Sequence, residues 1–385
     1  CLLAIVVMFV VTSLQAQREM KTINDNWEFR KSIDESWESV NLPHTFNIDA
    51  YQQRNYYQGK GFYRRTLVLP EIVAERRYYM KIDAASKAAN IRVNGKEVGS
   101  HVGGYTACIV DITEYIRKEN LIEITVDNGR KDITPISADF TFWGGIYRDV
   151  WLISTPKQHF NMSNMGSDGI FISTPVVNEK RGVLKVKCEV TNDSHESSIL
   201  EVRSAIYSPQ GKLLQTIKQK QKLKSGETYI FENTSGAIES PDLWSPETPS
   251  LYLVKTTLVD PKSGKLLDEK NHKVGFRWFT FDGSKGFFLN GKSYKLRGLN
   301  RHQDQAPAGV ALDDEAHRRD IFLMKELGCN FIRISHFPQD DAILEMCDEL
   351  GLLAWEEIPI INIVPNTPGY DDNCEYKNKA LLNSF

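Results

Sequence analysis

Residues 294–337 constrain this chain more than any other stretch. They open with the run Lys295-Leu296-Arg297-Gly298-Leu299, which breaks off on Asn300, Arg301, His302, Gln303 and Asp304. A helical pattern follows over 313–327. A second short strand, Phe331-Ile332-Arg333-Ile334, then ends on Ser335 and His336. Two apolar strands joined by one helix form a parallel βαβ unit, because a parallel pair needs a long crossover. Strands that each deliver polar residues at the C-terminal tip suggest the start of a (β/α)8 TIM barrel with its site at that end.

The pattern continues. In the first helix Ile321, Phe322, Met324 and Leu327 are expected on the apolar stripe, with Gly328 as C-cap. A second helix is predicted over 338–350, with carboxylates in its first turn and Gly351 at its end. A third strand, Leu352-Leu353-Ala354-Trp355, leads to Glu356 and Glu357. A turn-rich stretch is expected over 366–373. A complete barrel needs about 250 residues and eight strands. Only three strands are legible from 275 to 385, so the barrel is expected to be incomplete. Such a piece is expected to fold poorly alone, since an open parallel sheet leaves an apolar edge unpaired.

The residues upstream read as short strands separated by turns. Gly61-Phe62-Tyr63-Arg64-Arg65-Thr66-Leu67-Val68 alternates and stops near Pro70, and Val93 is followed by the hairpin signal Asn94-Gly95. Regular strand-and-turn spacing over 18–156 indicates an antiparallel sandwich. The block ends on Trp143-Gly144-Gly145-Ile146-Tyr147-Arg148-Asp149-Val150-Trp151. Residues 157–274 repeat the habit on a smaller scale, with clean alternation from Gly182 to Val190, as in an immunoglobulin-like β-sandwich. The cationic stretch 212–224 reads as a solvated face.

Residues 1–17 differ in kind. An unbroken apolar run from Leu2 to Val11, then Ser13-Leu14-Gln15-Ala16, reads as a secretory signal with a cut after Ala16, shortened at its start. The run is too short to span a membrane. A periplasmic or extracellular location is expected. Of the remaining cysteines, Cys108, Cys188, Cys329, Cys347 and Cys374, none forms a CxxC pair. Neither a disulfide framework nor a zinc site is inferred, and Cys329 and Cys347 are expected as core thiols. With 47 Lys and Arg against 50 Asp and Glu, there is no electrostatic footprint for nucleic acid.

Taken in order, these segments resemble glycoside hydrolase family 2, and within it the β-galactosidases. The resemblance rests on Gly61-Phe62-Tyr63-Arg64-Arg65, Val93-Asn94-Gly95, Gly103-Gly104-Tyr105, Gly145-Ile146-Tyr147-Arg148-Asp149-Val150, Arg297-Gly298-Leu299-Asn300-Arg301-His302, Arg333-Ile334-Ser335-His336-Phe337-Pro338 and Cys347-Asp348. It implies a jelly-roll sugar-binding domain, then an immunoglobulin-like sandwich, then the barrel. It implies a retaining hydrolase that removes terminal β-D-galactosyl units. It further implies that Asp139 reaches from the first domain to a sugar hydroxyl, with sodium also held at this position in some members. His302 and His336 are implied to contact the sugar, and Arg333 to hold the nucleophilic carboxylate. The chemistry agrees: imidazole both donates and accepts, and a neighbouring guanidinium keeps a carboxylate ionised. A histidine at a strand end is also commonly a structural hydrogen-bonding residue, and Asp139 could simply cap its loop.

Glu356 and Glu357 are not read as the catalytic pair. Neighbours in one strand point to opposite faces, whereas a retaining pair faces across the substrate at about 5–5.5 Å. The resemblance implies that both catalytic glutamates lie beyond Phe385, so that the chain by itself is expected to be inactive. Ile361 and Ile363 stand where some relatives carry magnesium ligands, and no such site is expected. A carbohydrate is the expected partner, and an oligomer is compatible with the sequence. A β-glucuronidase shares this architecture; its cationic or Asn-Lys partners for the substrate carboxylate would lie in the absent half of the barrel. A non-catalytic carbohydrate-binding protein is the rival of another class, and two histidines at barrel strand tips argue against it.

Overall fold

The computed structural model describes residues 17–362. Two antiparallel sheets open the chain. One has six strands, in the order Glu38–Val40, Trp27–Arg30, Lys60–Val68, Glu119–Asp127, Ala88–Val93, Lys96–Val102. The other has four, in the order Glu19–Thr22, Val150–Pro156, Arg76–Ile82, Cys108–Asp111. Period-two alternation turns one face of the central strands inward, and Trp27, Tyr63, Met80, Ile91, Ile124 and Val150 fill the space between the sheets. The Asn94-Gly95 hairpin forms as the sequence predicts, with both residues at positive φ. Gly145, at φ 130, is needed for another reason: a Cβ there would meet the His44 carbonyl oxygen at 2.3 Å.

A second sandwich follows. Its long strand Arg181–Asn192 pairs with Gln158–Phe160, Ile170–Asn178, Glu227–Thr234 and Ile238–Glu239. A four-stranded sheet, in the order Leu213–Leu223, Ser198–Tyr207, Tyr252–Val259, Leu266–Val274, packs on it through Phe160, Leu184, Val202, Phe231 and Phe276. The cationic strand Leu213–Leu223 lies at the edge of its sheet. A short hairpin unit, Phe279–Asp282, Gly286–Leu289 and Lys292–Ser293, leads out of it.

The barrel strands and helices come next: β1 (Gly298–Arg301), α1 (Asp314–Glu326), β2 (Phe331–Ile334), α2 (Asp341–Leu350) and β3 (Leu353–Glu356). The three strands are parallel, in sequence order. Asp313 and Asp340 cap the helices by accepting from Ala316 N and Ala342 N. Gly351 ends α2 at φ 78. Ile321, Met324, Ile332, Ile334, Ile343 and Cys347 form the core between helices and strands. Cys108, Cys188, Cys329 and Cys347 are buried free thiols.

Three sequence expectations are corrected here. The run expected over 295–299 is a strand only from Gly298, and it continues through Asn300 to Arg301, its last residue, whose guanidinium is satisfied inside. It bonds Asp320 at 2.7 and 3.0 Å, His317 Nδ1 at 3.0 Å, and Gln339. Burial lowers the His317 pKa to about 4, which keeps the ring neutral and able to accept from that guanidinium. Phe322 and Leu327 are exposed; the buried side of α1 is His317, Ile321 and Met324. Leu327 is the C-cap of α1, and Gly328, at φ 85, lies one residue past it. Residues 1–16 and 363–385 lie outside the described residues, and with them the leader, Ile363, the stretch 366–373 and Cys374.

Candidate active site

The register of the parallel strands decides which side chains meet. Asn300, Arg333 and Trp355 lie across from one another, as do Arg301, Ile334 and Glu356. Residues at one level of a sheet share a face. Ile334 is buried against the helices, so Glu356 faces that layer too. Glu357, the next residue, projects the other way. It holds Arg333, whose Nη2 and Nε lie 2.6 and 2.7 Å from Oε1, and His336, whose Nδ1 lies 2.8 Å from Oε2. Arg333, His336, Trp355 and Glu357 line an open cavity of about 540 Å³.

His302 extends from the tip of β1, and its ring lies 5.2 Å from that of His336, edge to face. The first sandwich reaches the same place. Phe140 stacks on His336 at 6.0 Å and 18° and approaches His302 at 6.2 Å. Asp139, beside it in the chain, is exposed. The structure therefore gathers His302, Arg333, His336 and the loop of Asp139 at one mouth. An apolar seam fixes the loop: Tyr105 stacks on Phe337 at 4.0 Å, with Trp143, Tyr147 and Val310 around them. Arg148, buried in that seam, donates to Tyr105 O at 3.2 Å and to Pro338 O at 2.9 Å.

Glu356 and Glu357 diverge as strand geometry requires. Burial pushes Glu356 up to about 7, against a smaller opposing pull from Arg148. A carboxylate whose folded pKa is raised costs stability above that pKa, and the cost vanishes below its unfolded value. Glu356→Gln is accordingly expected to raise Tm at pH 8, with the gain shrinking to nothing as pH falls toward 5. Melting curves at the two pH values check it.

Sequence reasoning missed Glu357 as the partner of Arg333 and His336, Phe140 as their lid, and Arg148 as the clasp. The Arg-x-x-His spacing at one strand tip, with a carboxylate at the next, was a usable signal for the first. The other two depend on how the sandwich docks on the barrel.

Three family models match consecutive parts of the chain: the sugar binding domain of glycosyl hydrolases family 2 over residues 9–156, the model for family 2 itself over 168–277, and the TIM barrel domain over 282–380. A Bacteroides uniformis β-glucuronidase structure is 56% identical, with TM-score 0.93, over 95% of this chain and 45% of that one. A structure described as a calcium binding mutant of B. uniformis β-glucuronidase 2 is also 56% identical, with TM-score 0.90, over 95% and 46%. A β-galactosidase of Thermoanaerobacter pseudethanolicus is 34% identical over 348 residues, which is 88% of this chain and 44% of that protein. The chain spans about half, or less, of the length of the curated relatives it matches. With three matched models in family order over sandwich, sandwich and barrel, the chain belongs to glycosyl hydrolase family 2.

Proposed function

We propose that the intact protein is a retaining exo-glycosidase and that the sugar it removes is a terminal β-D-glucuronosyl unit. The observation that carries the glycosidase reading is the convergence of His302, His336 and Arg333 beneath the Asp139 loop. Asp139, His302 and His336 hold sugar hydroxyls; Arg333 keeps the nucleophilic carboxylate ionised; one carboxylic acid protonates the leaving oxygen while the nucleophile forms the glycosyl-enzyme. The sequence put a galactoside first. The 56% identity to a protein named a β-glucuronidase, against 34% to one named a β-galactosidase, supports the reverse order. Export, inactivity of residues 1–385 alone and sodium beside Asp139 belong to the same proposal. Nitrophenyl β-D-glucuronide and β-D-galactoside, assayed with the protein carrying a whole barrel, test it. The glucuronide is expected to lead in kcat/KM by about 10²-fold or more, because a site built around a charged group rejects the analogue lacking it. The reverse ratio favours the galactoside, and hydrolysis of neither removes the glycosidase reading.

One divalent cation belongs to the reading as well. The two aspartates replaced in the B. uniformis calcium binding mutant are 26 positions apart, the separation of Asp314 and Asp340 in this chain. Partial burial, and then the charges of Asp340 and Asp149, push Asp314 up to about 6. Such crowded carboxylates are hard oxygen donors that suit Ca²⁺, which takes six to eight oxygens. Among the described residues no three His, Cys, Asp or Glu side chains converge on one point, so carbonyls and water would complete the shell. Calcium is expected to raise Tm relative to EDTA, by an amount equivalent to about 2.7 kcal/mol at a hundredfold excess over Kd. Asp314→Asn is expected to abolish that response and, in EDTA at pH 7.5, to be more stable than the parent, since a raised carboxylate pKa penalises the fold above it. A calcium-independent Tm in the parent removes the cation from the proposal.

A further inference from the structure

We infer that Glu357 is a positioning residue: it selects the tautomer of His336 and so decides that Nε2 meets the sugar as an acceptor. The inference rests on the glycosidase reading above, and it concerns a residue to which that reading gives no role.

Three groups of neighbours surround the ring. Glu357 Oε2 lies 2.8 Å from His336 Nδ1. A carboxylate only accepts, so Nδ1 carries the hydrogen, and in the neutral ring Nε2 then keeps its lone pair. Phe140 covers one face of the imidazole and His302 stands at its edge. Arg333 supplies the competing arrangement, because its Nη2 lies 3.4 Å from the same Nδ1. A guanidinium only donates. Were Glu357 absent, Nδ1 would turn into an acceptor for Arg333, and the hydrogen would move to Nε2. Glu357 prevents this by engaging both groups at once: Oε1 takes the Arg333 hydrogens and Oε2 takes that of His336. The two tautomers present opposite faces to a hydroxyl. With Glu357 in place the sugar O–H must donate to Nε2; without it the imidazole donates instead.

The test labels histidine with ¹⁵N and reads the ring nitrogens of His336 at pH 8, with the signal assigned by its loss in His336→Gln. The parent is expected to show hydrogen on Nδ1, and Glu357→Ala to show it on Nε2. Steady-state kinetics of the protein carrying a whole barrel supply the second readout. Glu357→Ala is expected to raise KM for a nitrophenyl glycoside by about 10-fold or more, because a wrongly poised partner loses a charge-assisted or neutral hydrogen bond of order 1.4 kcal/mol. Glu357→Gln keeps one acceptor oxygen for two partners; with that oxygen on the Arg333 guanidinium its amide donates to Nδ1, so this variant is expected to move the hydrogen to Nε2 and to raise KM as Glu357→Ala does. A parent with hydrogen on Nε2, or on both nitrogens, overturns the inference. So does a tautomer that switches while KM stays put, or one that does not switch at all in Glu357→Ala. If no glycoside is hydrolysed by the parent, the function falls by itself, and the ring-nitrogen spectra still judge Glu357.

Discussion

Arg333→Ala, in the protein carrying a whole barrel, is expected to lower kcat for a nitrophenyl glycoside by about 10²–10³-fold, the loss seen when one preorganised charge-stabilising donor is removed from an active site. Arg333 stands on the mouth side of β2, level with Asn300 and Trp355, with its fork on Glu357. On the function proposed above, the nucleophile lies beside this guanidinium. Without it the nucleophile and Glu357 would share one small space as two carboxylates, and like charges so close raise a pKa and blunt nucleophilicity. Stability should change little, because the Arg333 side chain is 37% exposed and a pair of that kind contributes modestly. Arg333→Lys is expected to recover only part of the rate, since an ammonium cannot present two parallel donors. Burst and steady-state rates with parent and variant, at matched Tm, provide the measurement. A loss smaller than tenfold would remove Arg333 from the catalytic machinery.

The largest effect on stability is expected from Arg148→Ala, at about 3–5 kcal/mol, the range for deleting one partner of a buried charge network. Arg148 is 5% exposed. It joins the Tyr105 carbonyl on the sandwich side to the Pro338 carbonyl on the barrel side, reaches Gln303 at 3.5 Å, and lies 3.8 Å from Asp340. Truncation strands two buried carbonyls and leaves the Tyr105–Phe337 stack beside a void. The urea midpoint of the transition that reports on the sandwich–barrel contact should fall accordingly. Because the same seam carries the Asp139 loop, KM should rise in the folded fraction as well. An unchanged midpoint would mean that the seam is held by its aromatic residues alone.

Much of this was legible without coordinates. Alternation gave the two sandwiches, the Asn94-Gly95 pair gave its hairpin, and the βαβ rhythm from Lys295 to Trp355 gave the second and third barrel strands to within a residue, with the first displaced by two or three. These are local matters, set by side-chain period and by backbone preferences that each short segment carries within itself. The same local rule placed Glu356 and Glu357 on opposite faces. It also misled: the first strand read as beginning at Lys295, and Phe322 and Leu327 looked like core, because a lone sequence does not show that Asp320, His317 and Gln339 draw Arg301 inward or that the described residues leave the other two exposed.

What the sequence by itself determined was the succession of elements and the set of polar residues at the strand tips. Only the tertiary structure decided who faces whom: Glu357 between Arg333 and His336, Phe140 beside two imidazoles, Arg148 across the seam. Those meetings join residues separated by up to about two hundred positions, and they are fixed by strand register and by the docking of one packed face on another. No window of neighbouring residues encodes either of these.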